Sequence, residues 1–184
     1  MFVHSTLAVG EDGVPIGLLH EEYWCRDPEE HGKAKQRRSR PVEEKESAKW
    51  LHGIRGARGA LERHLSEAER PHLIHVADRE SDIHEIFEEI LRGGDGAVIR
   101  CAQNRRVVES EPEIAYAHQA VRSRPVLAKV RIDIPRKHNQ PKRKAAVEIR
   151  SCRVTLNPDR SHYSKRRPIP LSLVEVWEPN PPEG

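Results

Sequence analysis

Apolar positions along the first half of the chain predict an alternation of strands and helices. Phe2–Val9 is rich in apolar β-forming residues, and the turn residues at positions 10–13 predict a hairpin into residues 15–25. From Glu43 the pattern becomes helical, with apolar residues at Trp50, Leu51, Ile54, Leu61 and Leu65. Glycines interrupt this stripe at positions 53, 56 and 59. Because each internal glycine costs about 1 kcal/mol, we expect this helix to be bent or broken.

A second strand and helix follow. Residues 72–77 are almost continuously apolar, which is typical of a strand buried inside a sheet. Residues 82–85 resemble a capping box, and residues 93–94 are glycines that would end the helix. Between them, an amphipathic stripe has helical spacing: Ile83, Ile86, Phe87, Ile90 and Leu91. With a further strand at 97–101, this order predicts an α/β fold with some parallel pairing.

The second half of the chain has the pattern of β-strands. Residues 126–134 alternate between apolar and other side chains, and residues 145–156 and 171–177 do so in part. A basic turn at 136–144 separates the first two, which predicts an antiparallel, all-β segment. We therefore divide the chain into an α/β part over residues 1–112 and a β-strand part over residues 113–184. The polar segment 26–42 is expected to be an exposed loop.

The distribution of charge adds to these expectations, because positive charge is concentrated in the second half of the chain. The 184-residue chain has a formal net charge of only +3, yet residues 122–170 hold fifteen Lys and Arg against three acids. Such segregation indicates either a polyanion-binding surface or a solvated basic face, and composition favours neither. No stretch approaches the roughly 18 apolar residues that span a bilayer. Three cysteines without C-x-x-C spacing point to a reducing, cytoplasmic compartment.

Asp78 is the strongest candidate for a catalytic or metal-binding residue. It follows the predicted strand 72–77, and ligands of α/β sheets gather where strands end at their carboxyl side. A carboxylate there could bind Mg²⁺, which prefers hard oxygen ligands, or it could only cap the next helix. His72 and His75 do not form a zinc site, because strand residues three apart point to opposite faces.

The sequence around Asp78 resembles a known family. Residues 75–83 read H-V-A-D-R-E-S-D-I, similar to the D-R-E-A-D-I segment of Tn5-like transposases in the IS4 group of DDE enzymes. Further segments match that family in the same order: residues 2–5, 14–24, 44–51, 97–100 and 179–182. The resemblance therefore spans nearly the whole chain.

The resemblance implies an RNase H-like mixed sheet core with an antiparallel β-strand insertion. It also implies metal-dependent DNA cleavage and strand transfer, in which Asp78 is the second acid of the catalytic triad and a ligand for Mg²⁺ or Mn²⁺. The first aspartate is expected on a strand before residue 1, and the Y-R-E-K helix with the glutamate after residue 184. The chain is thus expected to be a central catalytic-core fragment that does not cut DNA alone.

The same resemblance nominates DNA-binding residues. Arg100 and Arg105 match basic family positions, Lys49 matches a family lysine, and Arg79 belongs to the motif, whereas Ala102 replaces a family lysine. A surface salt bridge is the alternative for Arg100, Lys49 could equally be a solvated helix residue, and Arg79 could instead brace Asp78. The implied partners are the double-stranded DNA of transposon ends and a second copy of the protein, with no membrane. The alternative is a non-enzymatic DNA-binding β module on an α/β scaffold.

Overall fold

The computed structural model describes residues 1–25, 40–108, 114–136, 141–158 and 167–182. The chain divides into two compact units, Met1–Ala102 and Gln103–Gly184. The boundary predicted between residues 112 and 113 falls outside the described residues, as do most of the polar segment 26–42 and the middle of the basic turn 136–144.

The first unit begins with the predicted hairpin. Strands β1 (Phe2–Val9) and β2 (Pro15–Trp24) pair antiparallel, with Phe2 opposite Trp24. Gly13 has φ +81°, a left-handed conformation that glycine adopts without steric cost. The Phe2 and Trp24 rings stack 5.7 Å apart at the open end of the hairpin. Sequence reasoning is confirmed for this element because a turn signal and two strand patterns coincide.

The helix packed on this hairpin is continuous, so the predicted break does not occur. A 3₁₀ turn at Val42–Glu44 precedes α1, which runs from Ala48 to His64. A Cβ atom at Gly53 would lie 2.7 Å from Thr6 Oγ1, and one at Gly56 would lie 2.4 Å from His20 Nδ1. These glycines therefore permit close approach of the hairpin, and that packing offsets their low helix propensity.

A parallel strand pair completes the first unit. Strand β3 (Ile74–Ala77) leads through a 3₁₀ turn (Arg79–Ser81) into α2 (His84–Arg92), and β4 (Gly96–Ile99) returns parallel to β3. Parallel pairing is confirmed. The prediction that the strand before Asp78 is buried is wrong, since Ile74 is 62% and Val76 77% exposed. No residue of β3 or β4 is buried, so the apolar sequence of this strand pair is not matched by burial.

The core of the first unit lies between the helices and their neighbouring segments. Leu51 and Ile54 of α1 meet Ile86 and Ile90 of α2, and Val42 joins them. Trp50, Ile83 and Ile99 pack around this cluster. The apolar stripe predicted for α2 is thus confirmed at its inward positions, whereas Leu91 is 51% exposed.

The second unit is an antiparallel sheet with one short helix. Strands β6 (Ala128–Ile134) and β8 (Ile169–Trp177) flank β7 (Arg143–Leu156), and β5 (Val107–Val108) pairs with the far end of β7. The expectation of an all-β segment is wrong, because α3 (Ala117–Arg122) packs on β7 and β8. Its buried residues, Ala117, Ala120 and Val121, are too small and too few to give a clear helical pattern.

The fold class is mixed α/β, with small sheets of both parallel and antiparallel strands. In the described part of the chain, no helix combines the length and hydrophobicity needed to cross a bilayer.

Candidate functional site

Asp78 and Arg100 lie side by side at one edge of the parallel strand pair. Ala77 and Ile99 are the last paired residues of β3 and β4, and the backbone N–H of Arg100 donates to the carbonyl of Ala77 at 3.1 Å. The residue after each strand is therefore Asp78 on one and Arg100 on the other. A carboxylate and a guanidinium thus share the carboxyl edge of this small sheet, where α/β proteins bind ligands.

The Asp78 carboxylate caps the turn that follows it. Its Oδ1 accepts a hydrogen bond from the backbone N–H of Glu80 at 2.9 Å, and the Ser81 hydroxyl donates to the Asp78 carbonyl at 2.8 Å. Asp78 is exposed, and its Oδ2 accepts no hydrogen bond from the residues that the structure describes. One oxygen is therefore committed to the turn while the other faces solvent.

Lys49 is tied to the same turn from α1. Its Nζ lies 3.0 Å from Glu80 Oε2, and its side chain is only 15% exposed. The ammonium also lies 5.3 Å from the Trp24 ring centroid. Lys49 is thus held by a carboxylate and an aromatic face. Its predicted contact with DNA stays a prediction.

The other predicted DNA-binding residues fall into two groups. Arg79 and Arg100 are exposed, and neither makes an ion pair within the described ranges. Arg105 belongs to the second unit, where its carbonyl accepts from the backbone N–H of Ala117 at 2.9 Å. The structure therefore brings Arg79, Arg100 and Lys49 around the Asp78 turn, and Arg105 is part of the other unit.

Asp82 is a site residue that sequence reasoning missed. The capping box predicted for residues 82–85 is wrong, since α2 begins at His84 after an N-cap Ile83 that has no side-chain cap. Asp82 is instead 3% exposed, and its Oδ2 accepts from the backbone N–H of Ala102 at 2.8 Å. The local pattern S-D-I-H-E gives no signal for a partner twenty residues away.

The Asp78 carboxylate can provide one oxygen ligand for a hard cation. A carboxylate oxygen suits Mg²⁺ and Mn²⁺, which bind proteins through few carboxylates together with water and phosphate. Among the described residues, no group of three or more His, Cys, Asp or Glu side chains is arranged to hold a metal ion. His75 is committed elsewhere, with Nε2 2.9 Å from Asp95 Oδ2. Asp78 alone would therefore hold such an ion weakly.

Part of the positive charge of the second unit is neutralised within that unit. Lys129 and Arg150 pair with Glu148 at 3.1 and 2.7 Å, and Arg122 pairs with Glu175 at 2.7 Å. The pKa of the Glu148 carboxyl is lowered by its hydrogen bonds with Lys129 and Arg150. Four basic residues near the β6–β7 connection make no ion pair with any residue that the structure describes: Arg131, Arg136, Lys142 and Lys144. These four form a group near that end of the sheet, whereas Arg124 and Arg153, which also make no ion pair in the described ranges, lie elsewhere in the unit.

Comparison with known protein families finds no family model that matches this chain. Functional inference for this chain therefore depends on two separate features, the Asp78–Arg100 edge of the first unit and the basic β6–β7 end of the second.

Proposed function

We propose that this chain forms the central part of the catalytic core of a cut-and-paste DNA transposase of the IS4 group, with an RNase H-like fold. The observation that carries the proposal is the placement of Asp78 beside Arg100 at the carboxyl edge of the β3–β4 pair. A carboxylate for a metal ion and a guanidinium for a phosphate are the two groups that phosphodiester chemistry needs at one edge.

The proposed role of each group in the site follows from its charge. Mg²⁺ or Mn²⁺, when bound, supplies Lewis acidity and an activated water or hydroxyl for in-line attack on phosphorus. Asp78, one of whose carboxylate oxygens accepts from Glu80 N–H, would hold the ion, and Arg100 would bind a phosphate oxygen. Arg79 follows Asp78 in sequence and would contact the DNA backbone. Because no group of three or more metal-ligating side chains is arranged at Asp78 among the described residues, we expect that the chain alone does not cut DNA.

The remaining elements of the proposal rest on the resemblance. They are an RNase H-like arrangement of the core, transposon-end DNA as substrate, a homodimeric full-length protein and a cytoplasmic location. The presence of both an antiparallel and a parallel strand pair, with α1 packed on β1 and β2 and α2 on β4, supports the first of these. A structure in which an additional strand completes the sheet in the strand order of an RNase H-like fold would decide this point.

A titration with Mn²⁺ tests the site in the chain itself. Paramagnetic Mn²⁺ broadens the NMR signals of nuclei close to it, so we expect selective broadening of the backbone amides of residues 78–81. Asp78→Asn should remove this broadening, because the amide keeps the shape and one oxygen but loses the charge that attracts the ion. Asp12→Asn is the matched control, since Asp12 is another exposed turn aspartate that accepts a backbone hydrogen bond, from Val14 at 3.0 Å. Equal broadening in both variants would show that Asp78 is only a turn cap.

A DNA-binding module without catalysis is the second candidate, favoured by the unpaired basic residues near the β6–β7 connection. Under either proposal, we expect this end to bind duplex DNA through phosphates, without sequence preference. The logarithm of the binding constant should fall linearly with the logarithm of salt concentration.

Two variants assign that binding to the unpaired charge. Arg131→Gln should reduce the magnitude of the salt slope by about 1, as expected for one lost phosphate contact. Arg122→Gln should leave it nearly unchanged, because Arg122 is paired with Glu175 and lies 4.9 Å from the Trp177 ring centroid. Filter binding over a range of salt concentrations measures both, and a salt-independent affinity would contradict the phosphate-contact proposal.

A further inference from the structure

We propose that Asp82 is a positioning residue that holds the segment carrying Arg100 beside the Asp78 turn; this rests on the function proposed above. Asp82 lies four residues after Asp78, between the 3₁₀ turn and α2. It is one of the few charged residues that are buried in the described chain, at 3% exposure. Burying a carboxylate is costly unless it accepts hydrogen bonds. The donors to the Asp82 carboxylate therefore indicate its structural role.

The backbone bends sharply at Asp82, just before α2. Asp82 has φ −69° and ψ 68°, and the N–H of Ile83 donates to the carbonyl of Ser81 at 2.7 Å. These values describe an inverse γ-turn, a sharp bend in the chain. The bend separates the Asp78 turn from α2 and leaves the Asp82 carboxylate bonded to Ala102 N–H at 2.8 Å.

Two hydrogen bonds of the backbone flank the Arg100 side chain. Strand β4 ends at Ile99, so Arg100 lies beyond the last paired residue. On one side, its own N–H donates to Ala77; on the other, Ala102 N–H donates to Asp82. Two hydrogen bonds thus join the end of β3 and the turn after it to the residues that follow β4, one at Ala77 and one at Asp82. Without the second, the segment from 100 to 102 would lose a hydrogen bond at its last residue.

Paramagnetic broadening by Mn²⁺ measures this placement. We expect an ion at Asp78 to broaden the amides of residues 100–102 as well as those of residues 79–81. In Asp82→Ala, broadening at 100–102 relative to 79–81 should fall, because the released segment moves away from the ion. In Asp82→Asn the ratio should be retained, since the amide oxygen still accepts from Ala102 N–H. Loss of charge alone would affect both variants alike, so the pair separates geometry from electrostatics.

Each outcome has a distinct meaning. An unchanged ratio in Asp82→Ala, or an equal fall in Asp82→Asn, overturns the positioning role. Absence of Asp78-dependent broadening in the unaltered chain overturns the proposed function instead. A measurement that does not depend on the variants is hydrogen exchange of the Ala102 amide in the unaltered chain. We expect it to be protected, and exchange at the rate of an open amide would also overturn the role of Asp82.

Discussion

Replacing Asp78 with asparagine should abolish metal-dependent strand cleavage in a polypeptide that joins this chain to the other two acids of the proposed triad. The metal contributes several kcal/mol of transition-state stabilisation. Since about 1.4 kcal/mol corresponds to tenfold in rate, we expect a loss of about a thousandfold or more. Asparagine can still accept the hydrogen bond from Glu80 N–H, so the turn should persist and DNA binding should be retained. Nicking of supercoiled DNA with Mg²⁺ or Mn²⁺ measures the first effect, and filter binding the second.

The matched control is again Asp12→Asn, which removes one exposed negative charge from a turn of the hairpin. It should cleave like the unaltered polypeptide. If Asp78→Asn also kept normal cleavage, Asp78 would be a cap of the 3₁₀ turn and the assignment of this site would be wrong. Loss of cleavage together with loss of DNA binding would instead indicate damage to the fold.

Those parts of the fold whose signals are local could be predicted from the sequence. The β1–β2 hairpin combines two apolar strands with a glycine turn, and α2 has a regular stripe that ends at Gly93 and Gly94. Parallel pairing of β3 and β4 follows from a strand–helix–strand order. The neighbourhood of Asp78 and Arg100 follows in turn, because each comes directly after one of those strands.

Features set by tertiary contacts could not be predicted. The glycines of α1 suggested a break, yet Gly53 and Gly56 are explained by Thr6 and His20 of the hairpin packed against them. The contact of Lys49 with Glu80 and that of Asp82 with Ala102 join residues far apart in the chain. The periodicity and capping patterns of a sequence do not specify which distant atom a side chain contacts. Both of these polar contacts could therefore be identified only from the structure.

The polar network between α1 and α2 is expected to be the largest single polar contribution to the stability of the first unit. Arg58 donates to Glu89 Oε1 at 3.1 Å, to Asp95 Oδ2 at 2.8 Å, and to the carbonyls of Glu89 and Ile90 at 2.9 and 3.2 Å. Its side chain is 17% exposed, and those of Glu89 and Asp95 are 8% and 11% exposed. Arg58 therefore satisfies two nearly buried carboxylates and the last carbonyls of α2 at once.

Two further observations support a large contribution of this polar network to stability. Burial tends to raise the pKa of Glu89, but the hydrogen bond and charge of Arg55, with the charges of Arg92 and Arg58, outweigh it and leave the pKa lowered. The folded state thus favours the ionised carboxylate, so this stability is present above the ordinary pKa and is lost as pH falls below it. In addition, a Cβ atom at Gly93 would lie 2.0 Å from Arg58 Cζ, so glycine leaves room for the guanidinium.

Arg58→Met should therefore lower the free energy of unfolding of the first unit by about 3 kcal/mol, the lower end of the usual loss when one partner of a buried charge pair is removed, because Arg55 still bonds Glu89 and His75 still contacts Asp95. Methionine keeps the length and the apolar stem but leaves Asp95, Glu89 and two carbonyls without this donor. Arg92→Met is the matched control, because Arg92 reaches the same Glu89 at 3.1 Å yet is 69% exposed. We expect it to cost no more than about 0.5 kcal/mol. Urea denaturation followed by circular dichroism measures both variants. Equal losses would mean that Arg58 contributes no more than an ordinary surface ion pair, and that the packing of Leu51, Ile54, Ile86 and Ile90 holds the two helices together without it.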